Sequence, residues 1–441
     1  MRRREFLESA GTALGATALI SPAVAKTEST PATATTGTAP ESVKPGDWQG
    51  LRELFPLTRD YIHLATFLLA SHPGPVAAQI EAHRRGLDEN PADYLHRHNA
   101  SIDAKVARAA AQYMGGDWSQ IALTDSTTMS LAMMYSGIKL QAGDELLQTV
   151  HDHYATDMSL THKARRSGAV VKRVALYDDP AQVSVEQCQA RLAQGITDKT
   201  RVVAVTWVHS STGVKLPIQA LSDVVQKANQ GRAEADRILY CVDGVHGFGI
   251  ENQAVPQLGC DFFAAGTHKW IFGPRGTGVL WGNEAAWARS EPVIPAFSAS
   301  YAAWLGMLPE DKVPRGMHFT PGGFHSFEHR WALPAAFELH LQLGKAKVQS
   351  RIHELNTRTK EGLAAMPHVT LHTPQSPALS SGLVCFEVQG IAPDDVVKRL
   401  HSKGIIMSST PYRESYARFA PSLLNNEQEI DRALAEIRAL A

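Results

Sequence analysis

The chain has 441 residues and a formal net charge of −1, from 43 Lys and Arg against 44 Asp and Glu. That length exceeds one small core and predicts two or three domains. The balanced charge excludes a nucleic-acid or polyanion binder held by bulk electrostatics. No apolar run after the N-terminal leader is long enough to span a bilayer.

The N-terminus reads as an address. Arg3-Arg4-Glu5-Phe6-Leu7 has the twin-arginine pattern, a weakly apolar stretch runs from Ala10 to Ile20, and Ala23-Val24-Ala25 offers an A-x-A cleavage site before Lys26. Residues 1–25 are therefore expected to be a twin-arginine signal, with the Tat translocase as partner during export and the periplasm as destination. That route carries folded proteins, which suits a chain that acquires a cofactor before export. It also implies that Cys188, Cys241, Cys260 and Cys385 fold reduced. They show no metal-type spacing and read as buried small hydrophobes. Residues 26–47, rich in Thr, Ala and Pro, read as a flexible linker.

From about residue 48, short apolar runs alternate with amphipathic stretches. Strands are expected at 121–125, 145–150, 169–176, 201–208, 237–243, 262–266 and 276–282, with a helix at 128–140. Such alternation predicts an α/β fold with a mostly parallel sheet covered on both faces. The stretch 333–366 keeps helical periodicity long enough to bridge two domains. Beyond it, strands at 369–373, 382–388 and 404–409 and helices at 393–404 and 426–440 outline a compact α+β unit.

Sites in open parallel sheets lie at the carboxyl ends of strands, and four such ends carry suitable chemistry. Lys269, in Gly266-Thr267-His268-Lys269-Trp270, can form an imine with an aldehyde cofactor and then shuttle protons. Asp243, in Asp243-Gly244-Val245-His246, can pair with a pyridinium nitrogen and keep the ring an electron sink. His246 can hydrogen-bond the ring's 3-oxygen. Asp125-Ser126-Thr127-Thr128 opens a helix and offers N–H groups and hydroxyls to a phosphate, or is simply an N-cap. In His151-Asp152-His153-Tyr154 an aromatic ring can stack on a cofactor. A metal at His151 and His153 lacks a third ligand of recognisable spacing.

Taken in order, STT, HDHY, VHSSTG, DGVHGFG, GTHKW, FGPRGTG and the segment from Arg418 through PSLLNNEQEID resemble the class V aminotransferases over roughly residues 48–441. The likeness is to the isopenicillin N epimerase-like and cysteine desulfurase-like subgroup. It implies a fold-type I enzyme dependent on pyridoxal 5′-phosphate (PLP), with a seven-stranded-type sheet sandwiched by helices. By resemblance, Lys269 is the PLP lysine, Asp243 the pyridinium partner, and His153 the stacking ring. Thr127, Thr128 and His268 hold the phosphate, His246 and Ser210 lie near the 3-oxygen and substrate, and Arg418 clamps the substrate carboxylate. The resemblance also implies a homodimer with its active site at the interface. Residues 48–65 are expected to pack with the small domain, 66–330 to form the large PLP-binding domain, and 331–441 a long connecting helix and the small C-terminal domain.

Two positions depart from the family. Gly266 stands where many relatives bind phosphate through Ser or Asn, and Phe324 where a Thr hydroxyl reaches the partner's phosphate. The loop before Arg418 has no cysteine, which disfavours persulfide chemistry. The leader together with HLATFLLASHPGPV, TPGGFHSFEHRWAL and FELHLQLGKAKVQSRIHELN further resembles exported PLP enzymes that tailor the glutamate side chain of pyoverdine siderophores. The expected substrate is a small amino acid or a peptidic siderophore precursor. An epimerase, a C–S lyase or an aminotransferase on another amino acid is the alternative. A catalytically dead PLP-fold binding protein is a third reading, opposed by intact Lys269, Asp243 and Arg418.

Overall fold

The computed structural model describes residues 43–441. The expected signal and the linker up to residue 42 lie outside them.

Seven strands, β1 (Ile121–Thr124), β2 (Glu145–Thr149), β3 (Val170–Val174), β4 (Thr200–Thr206), β5 (Leu239–Asp243), β6 (Phe262–Gly266) and β7 (Gly278–Gly282), form one sheet in the order β1-β7-β6-β5-β4-β2-β3. β7 runs antiparallel to both neighbours, and the other pairings are parallel. Strands β5, β6 and β7 are buried at every residue. That burial explains their unbroken apolar runs, because both faces of the sheet are covered. The exposed edge strand β3 carries Lys172 and Arg173 instead, charges that discourage further pairing.

The longer helices are α1 (Gly74–Glu89), α2 (Pro91–Met114), α3 (Thr127–Gly137), α4 (Tyr154–Ser167), α5 (Val185–Gly195), α6 (Ile218–Ala228), α7 (Phe327–Leu343), α8 (Lys345–Ala364), α9 (Pro393–His401) and α10 (Glu427–Arg438). Alternation along the strands divides the core. Leu239 and Cys241 of β5 face α3 and α4 through Leu131, Met134 and Leu160. Tyr240 and Val242 face the other layer, which includes Val106 of α2, Leu221 of α6 and Phe337 of α7.

A second, antiparallel sheet has the order β10-β11-β9-β8, from β8 (Val369–Leu371), β9 (Val384–Val388), β10 (Ser408–Ser409) and β11 (Ala417–Phe419). Its core joins Val384, Phe386 and Phe419 to Leu400 of α9 and Leu434 of α10. Ile62–His63 pairs in parallel with Ile405–Ile406, and Arg52 bonds Glu429 at 2.7 Å. The N-terminal segment is thereby tied to the C-terminal unit.

The single connecting helix expected over 333–366 is corrected to two, α7 and α8. Between them Gly344 adopts φ +83°, a backbone state that favours glycine and ends the first helix. Helix α7 also begins earlier, at Phe327, and carries Pro334 inside it. The strand expected at 404–409 splits in two because Ile405–Ile406 and Ser408–Ser409 pair with different partners.

Candidate active site

The carboxyl ends of β1, β2, β4, β5 and β6 open onto a cavity of about 250 Å³, closed from the other side by Phe67, Pro411, Tyr412 and Arg418. All nine residues singled out from the sequence line it: Thr127, Thr128, His153, Ser210, Asp243, His246, His268, Lys269 and Arg418. Sequence reasoning assigned no role to Phe67, His151, Thr206 or Tyr412, which line it too.

At one end of the cavity, Ser126 caps α3 by accepting the Met129 N–H at 3.1 Å. The first-turn N–H groups and the hydroxyls of Thr127 and Thr128 then stand at the positive end of the helix, a ready anion site. The Gly266 N–H donates to Thr127 Oγ1 at 2.7 Å. A β-carbon at Gly266 would lie 2.9 Å from both Thr127 Oγ1 and His268 Cε1. Glycine here is therefore what lets Thr127 and His268 close in, and it accounts for the departure from the family. His268 Nδ1 is buried with no hydrogen-bond partner, an unsatisfied polar atom beside the helix end. Phe324, the other departure, is 88% exposed and does not line this chain's cavity.

Across the middle, His153 is the N-cap of α4. Its Nδ1 accepts the Ala155 N–H at 3.1 Å, which holds the ring flat against the helix entrance and leaves the proton on Nε2. Opposite the anion site lies Asp243, 2% exposed, whose Oδ1 accepts the Val245 N–H at 3.2 Å. Burial pushes its carboxyl up to about 6, with the Val245 bond and Lys269 pulling it back. Burial likewise pushes Asp152, behind it, up to about 7. Lys269 reaches in from β6. Burial lowers its amine to about 8, Asp243 opposing the shift and Arg418 adding to it.

On the far side, Arg418 of β11 is 2% exposed. It donates to Ser210 O at 2.6 Å, Ser408 Oγ at 3.1 Å and Ser409 O at 3.4 Å, and its guanidinium carbon sits 4.4 Å from the Phe67 ring centroid. These bonds use three of its five N–H groups. Among the described residues it makes no ion pair, so a buried cation faces the cavity with donors to spare. Tyr412 bonds Ser210 Oγ at 2.7 Å and meets the His153 ring edge-on. Arg413, a second arginine of the same loop, is exposed to solvent and outside the cavity.

The family model for aminotransferase class-V matches residues 70–411. The chain belongs to the class V aminotransferases. This class V aminotransferase is 26% identical over 408 residues to the isopenicillin N epimerase of Streptomyces clavuligerus, covering 89% of this chain and 98% of the epimerase. It is 27% identical over 331 residues to a probable cysteine desulfurase of Halalkalibacterium halodurans, covering 71% and 77%. Among solved structures, the complex of the cystine C–S lyase C-DES with cysteine persulfide matches with a TM-score of 0.78 at 22% identity, over 87% of this chain and 99% of that one. The apo cysteine desulfurase of Thermococcus onnurineus NA1 matches at 0.74 and 21%, over 89% and 97%. These likenesses establish the fold-type I architecture.

PLP is the cofactor of the family, and the cavity fits it. An anion cradle, an amine, a buried carboxylate and a capped imidazole stand in one cavity, and the unpartnered His268 Nδ1 and the closed space at Gly266 sit at the cradle. When bound, PLP supplies a ring that withdraws electrons from the α-carbon of an amino acid.

Proposed function

We propose that this enzyme acts at the α-carbon of an amino acid or amino-terminal glutamyl group, whose carboxylate Arg418 binds. One observation carries the reading: a buried guanidinium with no acidic partner faces the same cavity as Lys269 and Asp243. A buried unpaired charge is strongly unfavourable, and a carboxylate arriving at the two uncommitted N–H groups of Arg418 offsets it with a charge-assisted contact. Lys269 would hold the cofactor's aldehyde end, and its Nζ would take or return the α-proton. Asp243 would keep the ring nitrogen protonated, and His153 would cover the ring. Thr127, Thr128 and His268 hold the phosphate, while Ser210 and His246 orient the substrate side and the 3-oxygen. Arg418, Phe67 and Tyr412 exclude water from the reacting carbon.

The mature chain works in the periplasm after twin-arginine export, as a homodimer, on a glutamate-type side chain of a siderophore precursor of the pyoverdine class. The leader pattern and the resemblance of several segments to siderophore-tailoring enzymes support this. Exposed Phe297, Tyr301, Trp304 and Phe324 support a partner-facing surface. Epimerisation is the second reading, favoured by the relative matched over 98% of its length. Persulfide formation is opposed by cysteines that are all buried and outside the cavity.

Product analysis decides between these readings. Purified enzyme is incubated with single amino acids and amino-terminal glutamyl peptides, and products are read by mass and by chirality. Loss or exchange of the α-amino group on a glutamyl peptide supports tailoring. Inversion at unchanged mass supports epimerisation. No change in any α-amino substrate contradicts the proposal. Periplasmic recovery of the Arg3→Lys, Arg4→Lys precursor would contradict the export route.

A further inference from the structure

Two consecutive residues grip opposite nitrogens of one imidazole. The Trp270 indole N–H donates to His246 Nδ1 at 3.2 Å, and Lys269 Nζ lies 3.4 Å from His246 Nε2. An indole nitrogen only donates, so Nδ1 must carry a lone pair, and in the neutral ring the proton sits on Nε2. The Nε2–H then points at Lys269. A protonated lysine has three donors and no acceptor, so it would meet that N–H donor to donor. A neutral amine accepts it.

The indole cannot turn away. Trp270 is 2% exposed and stacks on Phe67, with centroids 6.3 Å apart. Gly382, at φ +63°, leaves room for its far edge, because a β-carbon there would lie 3.0 Å from Cη2 and Cζ2. Gly249, at φ +93°, does the same for its main chain, 2.7 Å from a β-carbon. Phe67 also packs against the His246 ring, with centroids 5.6 Å apart. Three separate segments therefore hold the donor on Nδ1.

We propose that Trp270 is a positioning residue: it fixes His246 as an Nε2–H donor, and through His246 it shifts the Lys269 amine toward its neutral, nucleophilic form. The inference rests on the reading of Lys269 as the PLP lysine and extends it by naming what sets that lysine's protonation. The charged and titratable groups around the amine are Asp243 at the end of β5, His246 after it, His153 at the start of α4, His268 beside it and Arg418 of β11. Burial opposes the ammonium most, Asp243 favours it and Arg418 opposes it, and the Nε2–H facing the amine adds to the opposition. Without the indole donor, His246 is free to move its proton to Nδ1 and accept from a lysine ammonium, so the amine becomes harder to deprotonate. With Lys269 committed to the cofactor, the same tautomer leaves Nε2–H available as a donor at the 3-oxygen.

The test uses the full mature chain, stripped of PLP and then reloaded. Histidine ring nitrogens are labelled with ¹⁵N, and the His246 signals are identified by their loss in His246→Gln. The wild type should show a bare Nδ1 and a protonated Nε2 in both states. A protonated Nδ1 in the wild type overturns the proposal, whatever the variants do. The second readout is the pH dependence of trinitrobenzenesulfonate labelling at Lys269 in the stripped protein, followed by peptide mapping. Trp270→Phe should raise the pH of half-labelling by about one unit, slowing labelling at pH 7 about tenfold. In the His246→Gln background the same change should have no further effect. An equal shift in both backgrounds would mean that Trp270 acts by packing alone, and would also overturn the proposal. Reloading with PLP should block labelling of Lys269. Failure of that block alone would reject the PLP-lysine assignment and leave the tautomer result standing.

Discussion

The guanidinium of Arg418 donates to the main-chain oxygen of Ser210 at 2.6 Å, joining a strand of the C-terminal sheet to the loop that follows β4 of the large sheet. One contact thus links the two units of the fold across the cavity. Because three donors of Arg418 are already committed to Ser210, Ser408 and Ser409, its position is fixed before any substrate arrives.

Replacing that arginine separates binding from chemistry. Arg418→Ala removes the carboxylate partner but nothing assigned to the PLP ring. Loss of a buried, charge-assisted contact weakens binding by about 2–5 kcal/mol, roughly 30-fold to several-thousand-fold in Kd. Titration of the visible cofactor band with substrate should show that loss, while the band of the substrate-free enzyme is nearly unchanged. A melting curve checks that freeing Ser210 O and Ser409 O has not loosened the fold. Wild-type affinity in Arg418→Ala would place the clamp elsewhere.

Asp243→Asn should do the reverse: the enzyme still binds substrate, but kcat falls steeply because the ring nitrogen loses the carboxylate that keeps it protonated. The stripped protein offers a second check. Burial raises the Asp243 carboxyl from near 3.8 to about 6. A raised acid contributes its full stability below the unfolded value and loses it as pH climbs through the folded one. The penalty reaches about 3 kcal/mol above pH 6. Asp243→Asn does not titrate, so the Tm of wild type relative to the variant should fall between pH 4 and pH 7. A constant difference would show that Asp243 is not strained by burial.

Gly266 offers a test of crowding at the anion cradle. Gly266→Ser places a β-carbon 2.9 Å from Thr127 Oγ1 and His268 Cε1. Crowding of this size costs about 1–3 kcal/mol. PLP affinity, measured by equilibrium dialysis, should fall about tenfold. Unchanged or tighter binding would mean that the two side chains yield and the added hydroxyl supplies a contact.

Much of this was legible in the sequence, for a physical reason. Strands buried on both faces must be apolar throughout, so runs such as RILYCVD and FFAAG stand out, and the polar residues ending them mark where chemistry gathers. What escaped depends on approach in three dimensions. The helices α1 and α2 have polar, weakly periodic sequences, and their burial against α7 is set by packing. Gly344 sat in plain view, yet its φ of +83° is a property of the chain path and not of composition. The edge contact of Tyr412 on His153 and the grip of Trp270 on His246 arise only when separate strand ends meet. His153 as an N-cap was the most accessible miss, since it stands immediately before α4, but histidine is not among the usual capping residues.

The central claim is that Lys269 is the residue that holds PLP. Reduction of the purified, loaded enzyme with borohydride fixes the cofactor to its lysine, and peptide mapping by mass spectrometry then locates it. A pyridoxyl group is expected on the peptide containing Thr267-His268-Lys269-Trp270, and none on this peptide in Lys269→Ala. A pyridoxyl group on any other lysine, or its persistence in that variant, would contradict it.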